Sequence, residues 1–150
     1  MPKSPAIPVP FTTTLLVRDT CLCLHVQRAA RALARRFDEE FRPLGLTSGQ
    51  FSLMMSLNRP DPPAMGAVAS LLAMDRTTLT AALKPLERRT LVAVTPDPAD
   101  RRSRRLTLTP AGMALLSRAV PVWESTHAAL EGGLDGADPV RFRKSLRSIS

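Results

Sequence analysis

The chain is poor in aromatic residues, with no tyrosine, one tryptophan and five phenylalanines in 150 residues. Proteins that bind RNA or single-stranded DNA stack bases on exposed aromatic side chains. Here the aromatic residues fall almost wholly on apolar helix stripes. The sequence therefore disfavours a single-strand binder and leaves a non-specific or architectural nucleic-acid-binding protein as an alternative.

Residues that carry catalysis or hold metals are also scarce. The two histidines, His25 and His127, stand in no metal-ligand spacing, and neither a glycine-rich phosphate loop nor a serine nucleophile motif occurs. The two cysteines, Cys21 and Cys23, lie two apart on a predicted helix, point to different faces and cannot easily form a disulfide with each other. We predict no enzyme, no metal site and no cofactor.

Long apolar runs are missing as well. Prolines at positions 2, 5, 8 and 10 interrupt the N-terminal segment, and no stretch of about 20 apolar residues follows. Signal peptides and membrane-spanning helices both need an uninterrupted apolar run. We expect a cytoplasmic protein with no membrane partner.

What the chain does contain is apolar residues and arginine. With 44% hydrophobic and 23% charged residues, its composition is typical of one globular domain. Lys and Arg number 21 against 13 Asp and Glu, which gives a formal charge of +8. This balance favours a polyanionic partner, either nucleic acid or an anionic membrane. A GC-rich genome enriches arginine too, so charge alone decides little.

The N-terminal third divides into an arm and a helix. Residues 1–14 are proline-rich and predict a flexible arm. From Leu15, apolar residues recur at three- and four-residue spacing and predict one long amphipathic helix that ends near Pro43. Thr47 and Gln50 resemble a capping box that opens a second helix.

The middle of the chain predicts a helix-turn-helix. A short helix at about 65–72 is followed by a break at Met74-Asp75 and then by a helix with an apolar stripe on one side. The stripe is formed by Leu79, Leu83 and Leu86. Polar and basic residues gather on the other side of this helix: Arg76, Thr77, Thr80, Lys84 and Arg88.

A β-hairpin and two more helices complete the prediction. Residues 91–95 and 105–108 read as strands joined by a basic loop. Thr109-Pro110 and Asp138-Pro139 are each a cap followed by proline at the first helical position. The sequence thus predicts a mainly α fold with a small β-hairpin wing, a winged helix-turn-helix.

The segment from Asp97 to Gly112, with the sequence DPADRRSRRLTLTPAG, resembles the wing signature of the MarR family of bacterial regulators. In that signature an Asp-x-Arg tip precedes a Leu-Thr strand end and a glycine in the next helix. Residues 74–80 and 86–89 are similar to the family's recognition helix, and the resemblance covers nearly the whole chain.

This resemblance implies a DNA-binding transcriptional regulator, a repressor released from a pseudo-palindromic operator by a small organic effector. It also implies a homodimer. Residues 15–150 would form one domain, with the winged helix-turn-helix at about 47–109 and interlocking dimerisation helices at about 15–43 and 110–150.

Three residues depart from the family pattern. Thr90 stands where the family usually has glycine, so a left-handed backbone conformation is expected there at a cost of about 1 kcal/mol. Ala81 replaces a residue that is often longer and polar. Pro85 removes one hydrogen bond inside the recognition helix, which should bend it.

The expected DNA contacts come from this helix and from the hairpin tip. Side chains with donors and methyl groups on a helix front suit the major groove, and arginines suit the negative minor groove. We expect Asp100 to orient one tip arginine through a charge-assisted pair. The predicted DNA-binding residues are Arg76, Thr77, Thr80, Lys84, Asp100, Arg101, Arg102 and Arg104. Arg105 is a fourth arginine of the tip that could enter the minor groove.

The signal that switches the regulator has two candidate explanations. The resemblance implies a pocket for an aromatic or phenolic ligand, and the candidate lining is His25, Arg28, Met54 and Trp123. Cys23 falls where the organic-hydroperoxide sensors of the family carry their reactive cysteine, which suggests a thiol switch as the alternative. Those sensors hold the thiolate with tyrosines, which this chain lacks, and a cysteine is also a good small apolar residue.

Overall fold

The computed structural model describes residues 6–150 and is mainly helical with one two-stranded antiparallel sheet, as predicted. The elements in chain order are α1 (Phe11–Thr20), α2 (Leu22–Phe41), a 3-10 turn (Arg42–Leu44), α3 (Ser48–Leu57), α4 (Met65–Leu71), α5 (Arg76–Arg88), β1 (Val92–Pro96), β2 (Arg104–Leu108), α6 (Pro110–Gly132) and α7 (Pro139–Arg147).

The helix starts that the sequence predicted are confirmed by their capping hydrogen bonds. The Gln50 amide donates to Thr47 Oγ1 at 3.2 Å, and the Thr47 amide donates to Gln50 Oε1 at 3.1 Å, which completes the capping box of α3. At the start of α6, Thr109 Oγ1 accepts from the Gly112 amide, and at the start of α7, Asp138 Oδ1 accepts from the Val140 and Arg141 amides. Each cap satisfies backbone donors that the first helical turn leaves free.

The prediction of one helix from Leu15 was wrong in two respects. A helix already begins at Phe11, directly after the last proline of the arm, so residues 11–14 are helical. The helix then breaks at Cys21, which has an extended ψ of 108°. Side chains satisfy the backbone at this break, because Thr20 Oγ1 donates to the Leu16 carbonyl and Cys21 Sγ accepts from the Leu24 amide.

One apolar core lies in the middle of the chain. It is built from the end of α2, from α3, α4 and α5, from both strands and from the first half of α6. Its largest fully buried members are Phe41, Leu53, Met54, Val68, Leu79, Leu83, Leu86, Leu106 and Leu116. By contrast, α1 and α7 contain no buried residue.

The hairpin packs against the start of α6 at a glycine. β1 and β2 pair in the register Val92 with Leu108 through Pro96 with Arg104. Gly112 lies so close to β1 that an added Cβ would stand 2.1 Å from the Leu91 carbonyl oxygen. Only glycine permits this contact, which explains the glycine that follows the hairpin in the sequence.

Candidate nucleic-acid interface

Helix α5 presents one face to the core and the other to solvent. Leu79, Leu83 and Leu86 are buried, which fixes the rotation of the helix about its axis. The Asp75 carboxylate caps its first turn by accepting from the Thr78 amide at 2.7 Å. The hydrogen bond from the Thr78 backbone lowers the pKa of Asp75 below its ordinary value, and a hydrogen bond from the Thr78 side chain adds a smaller effect in the same direction.

The outer face of α5 brings together four of the predicted DNA-binding residues. Arg76, Thr77, Thr80 and Lys84 are exposed and line one shallow depression. Ala81, which the sequence analysis treated only as a departure, lies in the same depression and leaves it open. Thr80 Oγ1 donates to the Arg76 carbonyl at 2.8 Å, so its methyl group and oxygen lone pairs stay available.

The loop between the strands forms a compact basic tip. The Asp97 amide donates to the Ser103 carbonyl at 3.1 Å, and the Ser103 amide donates to the Asp100 carbonyl at 2.9 Å. Three arginines of this tip are exposed, and within residues 6–150 none of them forms an ion pair: Arg101, Arg102 and Arg104.

The expected pair between Asp100 and a tip arginine was wrong. Asp100 Oδ1 instead accepts from the backbone amide of Arg102 at 3.0 Å, which forms a local turn. The ion pair of the hairpin joins Asp97 Oδ2 to Arg105 Nε at 3.0 Å. Arg105, which pairs with Thr95 next to the loop, is therefore held by the protein and is not a free arginine of the tip. Sequence analysis missed the role of Asp97, since no local motif marks a pair eight residues apart.

The residues proposed for an effector pocket do not form one site. Trp123 lines a cavity of about 410 Å³ between α3, α4 and α6. Met54 is fully buried in the core and does not line it, which corrects that part of the prediction. His25 and Arg28 are exposed on α2 and also lie outside the lining. The lining is Phe51, Ser52, Met55, Ser56, Leu71, Leu72, Val120 and Trp123.

Neither the cysteines nor the histidines line this cavity or the depression on α5. Cys23 is exposed, with Gln27 Nε2 at 3.2 Å from its Sγ. His127 stacks on Trp123 with ring centroids 4.7 Å apart. In the part of the chain that the structure describes, no group of His, Cys, Asp and Glu side chains could hold a metal ion. No helix in that part is both long and apolar enough to cross a membrane.

Comparison with known proteins identifies the family. Residues 46–103 match the model of the MarR family. In solved structures, the M. tuberculosis transcriptional regulator MosR, determined in complex with DNA, is 35% identical with a TM-score of 0.79, and the match covers 87% of this chain and 93% of MosR. The chain belongs to the MarR family.

Two further relatives of this MarR-family chain concern repression and ligands. The transcriptional repressor NicR of Pseudomonas putida is 31% identical over 69% of this chain, a match that spans 66% of NicR, just under two thirds. BpsR of Bordetella bronchiseptica is 31% identical with a TM-score of 0.75, over 85% of this chain and 91% of BpsR; its structure concerns regulation of DNA binding by 6-hydroxynicotinic acid. The chain is thus a DNA-binding transcriptional regulator and not an enzyme.

Proposed function

We propose that a homodimer of this chain represses transcription by binding a pseudo-palindromic duplex, and that a small organic ligand releases it. The outer face of α5 carries the proposal. The buried leucine stripe on the inner side of α5 keeps the opposite side turned to solvent. That outer side carries four residues of the depression, Arg76, Thr77, Thr80 and Lys84. Cations, hydroxyls and methyl groups on an exposed helix front match the chemistry of major-groove base edges.

The hairpin tip supports the same function. Arg101, Arg102 and Arg104 are exposed and unpaired within residues 6–150, so their charges are available to phosphate or to a minor groove. In this proposal, Asp100 fixes the backbone of the tip by accepting a hydrogen bond from the Arg102 amide. Helix α5 would read bases, while the tip would add charge and fix the position on the duplex.

Apolar side chains that the single chain leaves uncovered support the dimer. Large apolar residues are exposed along α1 and α2 and again on α7, including Phe11, Leu16, Leu22 and Phe142. Large apolar side chains that are exposed repeatedly along the same helices are typical of an association surface. A two-fold dimer would place two copies of α5 about one helical turn, near 34–36 Å, apart on the duplex.

Variants of the chain test the DNA contacts on a duplex selected from a random library. We expect Arg102→Ala to weaken binding and to reduce the slope of log affinity against log salt by about 1. Thr80→Ala should change sequence preference more than salt dependence, because it lies on the base-reading face. Arg147→Ala, on the exposed end of α7, is the matched control and should change neither. Unchanged affinity and slope for Arg102→Ala would remove the tip from the mechanism.

The cavity at Trp123 supports regulation by a ligand. Its lining is apolar and aromatic apart from two serines, and the Trp123 ring stacks against Phe51 with centroids 6.4 Å apart. A flat aromatic or phenolic ligand suits such a lining. Leu71 and Leu72 belong to this lining and end α4 shortly before α5 begins, so an occupied cavity would act on the turn that positions α5.

Trp123 is the single tryptophan of the chain, so its fluorescence reports on this cavity directly. Titration with 6-hydroxynicotinic acid and with a panel of phenolic acids should change this fluorescence and release the selected duplex. Ser52→Leu, which fills the cavity, should abolish both effects, whereas Ser125→Leu, an exposed serine outside it, should not. Release that persists in Ser52→Leu would place the ligand elsewhere.

A thiol switch at Cys23 is the second candidate signal. The side chain is exposed, and the Gln27 amide lies within hydrogen-bonding distance of its sulfur. A hydroperoxide would oxidise the Cys23 thiolate to a sulfenate while itself becoming an alcohol. We would compare wild type with Cys23→Ser after a slight excess of organic hydroperoxide. If wild type stays bound to DNA, folded and unmodified by mass spectrometry, the thiol switch is excluded.

A further inference from the structure

The hairpin contains an acidic residue whose carboxylate is buried in a region otherwise rich in arginine. Asp97 is only 7% exposed. Its Oδ1 accepts from the Ala99 amide at 2.9 Å, and its Oδ2 accepts from Arg105 Nε at 3.0 Å. A buried carboxylate is stable only when paired and hydrogen-bonded in this way.

Arg105 makes a second contact outside the hairpin. Its Nη1 donates to the Pro62 carbonyl at 2.7 Å, so one guanidinium joins the hairpin to the linker between α3 and α4, residues 58–64. The backbone strengthens this junction, because the Leu106 amide donates to the Pro63 carbonyl at 3.0 Å and Ala64 pairs with Arg105 as an antiparallel bridge. The linker thus pairs with β2 at one bridge position.

We propose that Asp97 and Arg105 are positioning residues that fix the hairpin against residues 62–64, and that Arg105 makes no phosphate contact. The inference rests on the proposed role of the hairpin tip in DNA binding. Residue 65 begins α4, the first helix of the helix-turn-helix, so the pair sets the angle between the tip arginines and the helices that read DNA.

The neighbouring arginine provides a contrast within the same strand. Arg104 and Arg105 are consecutive in β2, and consecutive strand residues point to opposite faces of a sheet. Arg104 is exposed and forms no ion pair with any residue from 6 to 150, whereas Arg105 forms an ion pair with Asp97. Arg104 is therefore available for a phosphate contact, whereas the guanidinium of Arg105 is already bound within the protein.

Arg104→Met and Arg105→Met separate the two roles by their salt dependence. Both should bind the selected duplex more weakly. Arg104→Met should lose about 0.9 of the slope of log affinity against log salt, the value for one phosphate contact. Arg105→Met should weaken affinity about tenfold, as expected for a lost charge-assisted hydrogen bond, with the slope unchanged. A slope reduced in Arg105→Met as in Arg104→Met would overturn the proposal.

Asp97→Asn tests the pair by the sign of its effect. If only net charge mattered, removal of an acidic residue near DNA would strengthen binding. The positioning role predicts the opposite, a loss of about tenfold in affinity, because the ion pair that holds Arg105 is gone. Asp61→Asn is the matched control, since Asp61 is exposed in the same linker and forms no side-chain hydrogen bond or ion pair within residues 6–150. Binding by Asp97→Asn as tight as that of Asp61→Asn would overturn the proposal.

Hydrogen exchange in the unbound protein supplies a readout independent of DNA. The Leu106 amide, which donates to Pro63, should lose protection in Arg105→Met and Asp97→Asn and keep it in Arg104→Met. Unchanged protection would show that the pair does not hold the hairpin. A wild type that fails to distinguish the selected duplex from random duplex would refute the proposed function instead, while the exchange result would still decide whether the pair fixes the hairpin.

Discussion

The middle and the ends of this chain use their apolar residues differently. From Phe41 to Ala119, large apolar side chains pack into one core, with Leu79, Leu86 and Leu106 fully excluded from solvent. In α1 and α7 no residue is buried, although Phe11, Leu16 and Phe142 are all apolar. The middle contains the winged helix-turn-helix, and α1 and α7 belong to the ends that the sequence assigned mainly to dimerisation.

The middle of the chain buries its apolar side chains within one copy, whereas the terminal helices need a second surface to bury theirs. Burial of an apolar side chain contributes roughly 1.5–3 kcal/mol, and the middle gains this within one copy. The terminal helices gain it only when another surface covers them. Substitutions should therefore damage the middle through the stability of the chain and the ends through association.

The largest expected effect concerns the contact between α6 and the hairpin. Gly112→Val should destabilise the chain by about 3 kcal/mol or more, because its Cβ would overlap the Leu91 carbonyl and backbone cannot move aside as a side chain does. Gly49→Ala, in α3 with no atom within 4 Å of the added Cβ, is the control and should be neutral or stabilising. Denaturant unfolding measures both, and equal stability of the two variants would contradict the packing described for the middle.

The next effect concerns the ends. Phe142→Ser should raise the dimer dissociation constant at least about tenfold, while changing the unfolding free energy of the isolated chain by less than about 1 kcal/mol. Sedimentation at several concentrations gives the first quantity and denaturant unfolding of the dissociated protein the second. Arg141→Ser, an exposed neighbour in α7, should leave association unchanged. A Phe142→Ser protein that stays fully dimeric would remove α7 from the interface.

The sequence predicts local features of this fold well. The capping box at Thr47, the leucine stripe of α5 and the caps before Pro110 and Pro139 depend on residues only a few positions apart, so spacing alone reveals them. The left-handed conformation expected at Thr90 is also present, with φ of 55°. The four residues of α5 that are predicted to contact DNA share one surface for the same reason.

What the sequence does not reveal depends on distant residues or on competing local bonds. The Arg105 contact with the Pro62 carbonyl joins residues 43 positions apart, and the Trp123 cavity needs three helices to meet. The break at Cys21 interrupts a segment whose apolar spacing continues on both sides, so periodicity alone predicts one helix. Met54 likewise becomes core only because α3 is enclosed by its neighbours.

A smaller effect is expected at Thr90, where a substitution should raise the unfolding free energy of the chain without changing dimer association. Thr90 follows the end of α5 and adopts a left-handed backbone conformation. Its amide donates to the Glu87 carbonyl, and the Leu91 amide donates to the Leu86 carbonyl, which closes the end of the helix. Thr90→Gly removes the strain of a branched side chain there and should stabilise the chain by roughly 0.5–1 kcal/mol. Denaturant unfolding measures the gain, and dimer dissociation should stay constant. A destabilised Thr90→Gly would mean that the threonine hydroxyl outweighs the strain.

The smallest effect is a local dependence of α5 on pH. The folded pKa of Asp75 is lowered by its hydrogen bonds from Thr78, so its stabilisation is fully present above the unfolded value of about 3.9. That stabilisation is lost as the pH falls through the lower, folded pKa, because the protonated carboxyl is a poorer acceptor for the Thr78 amide. Hydrogen exchange or NMR at the Thr78 amide should show the first turn of α5 loosening in this acid range. The Gly112 amide, which the Thr109 hydroxyl caps at the start of α6, should stay unaffected. Asp75→Asn keeps a side-chain oxygen for the cap but cannot titrate, so its Thr78 amide should be insensitive to the same change of pH. If Thr78 in Asp75→Asn loosens with the wild-type pH dependence, another group controls the start of the recognition helix.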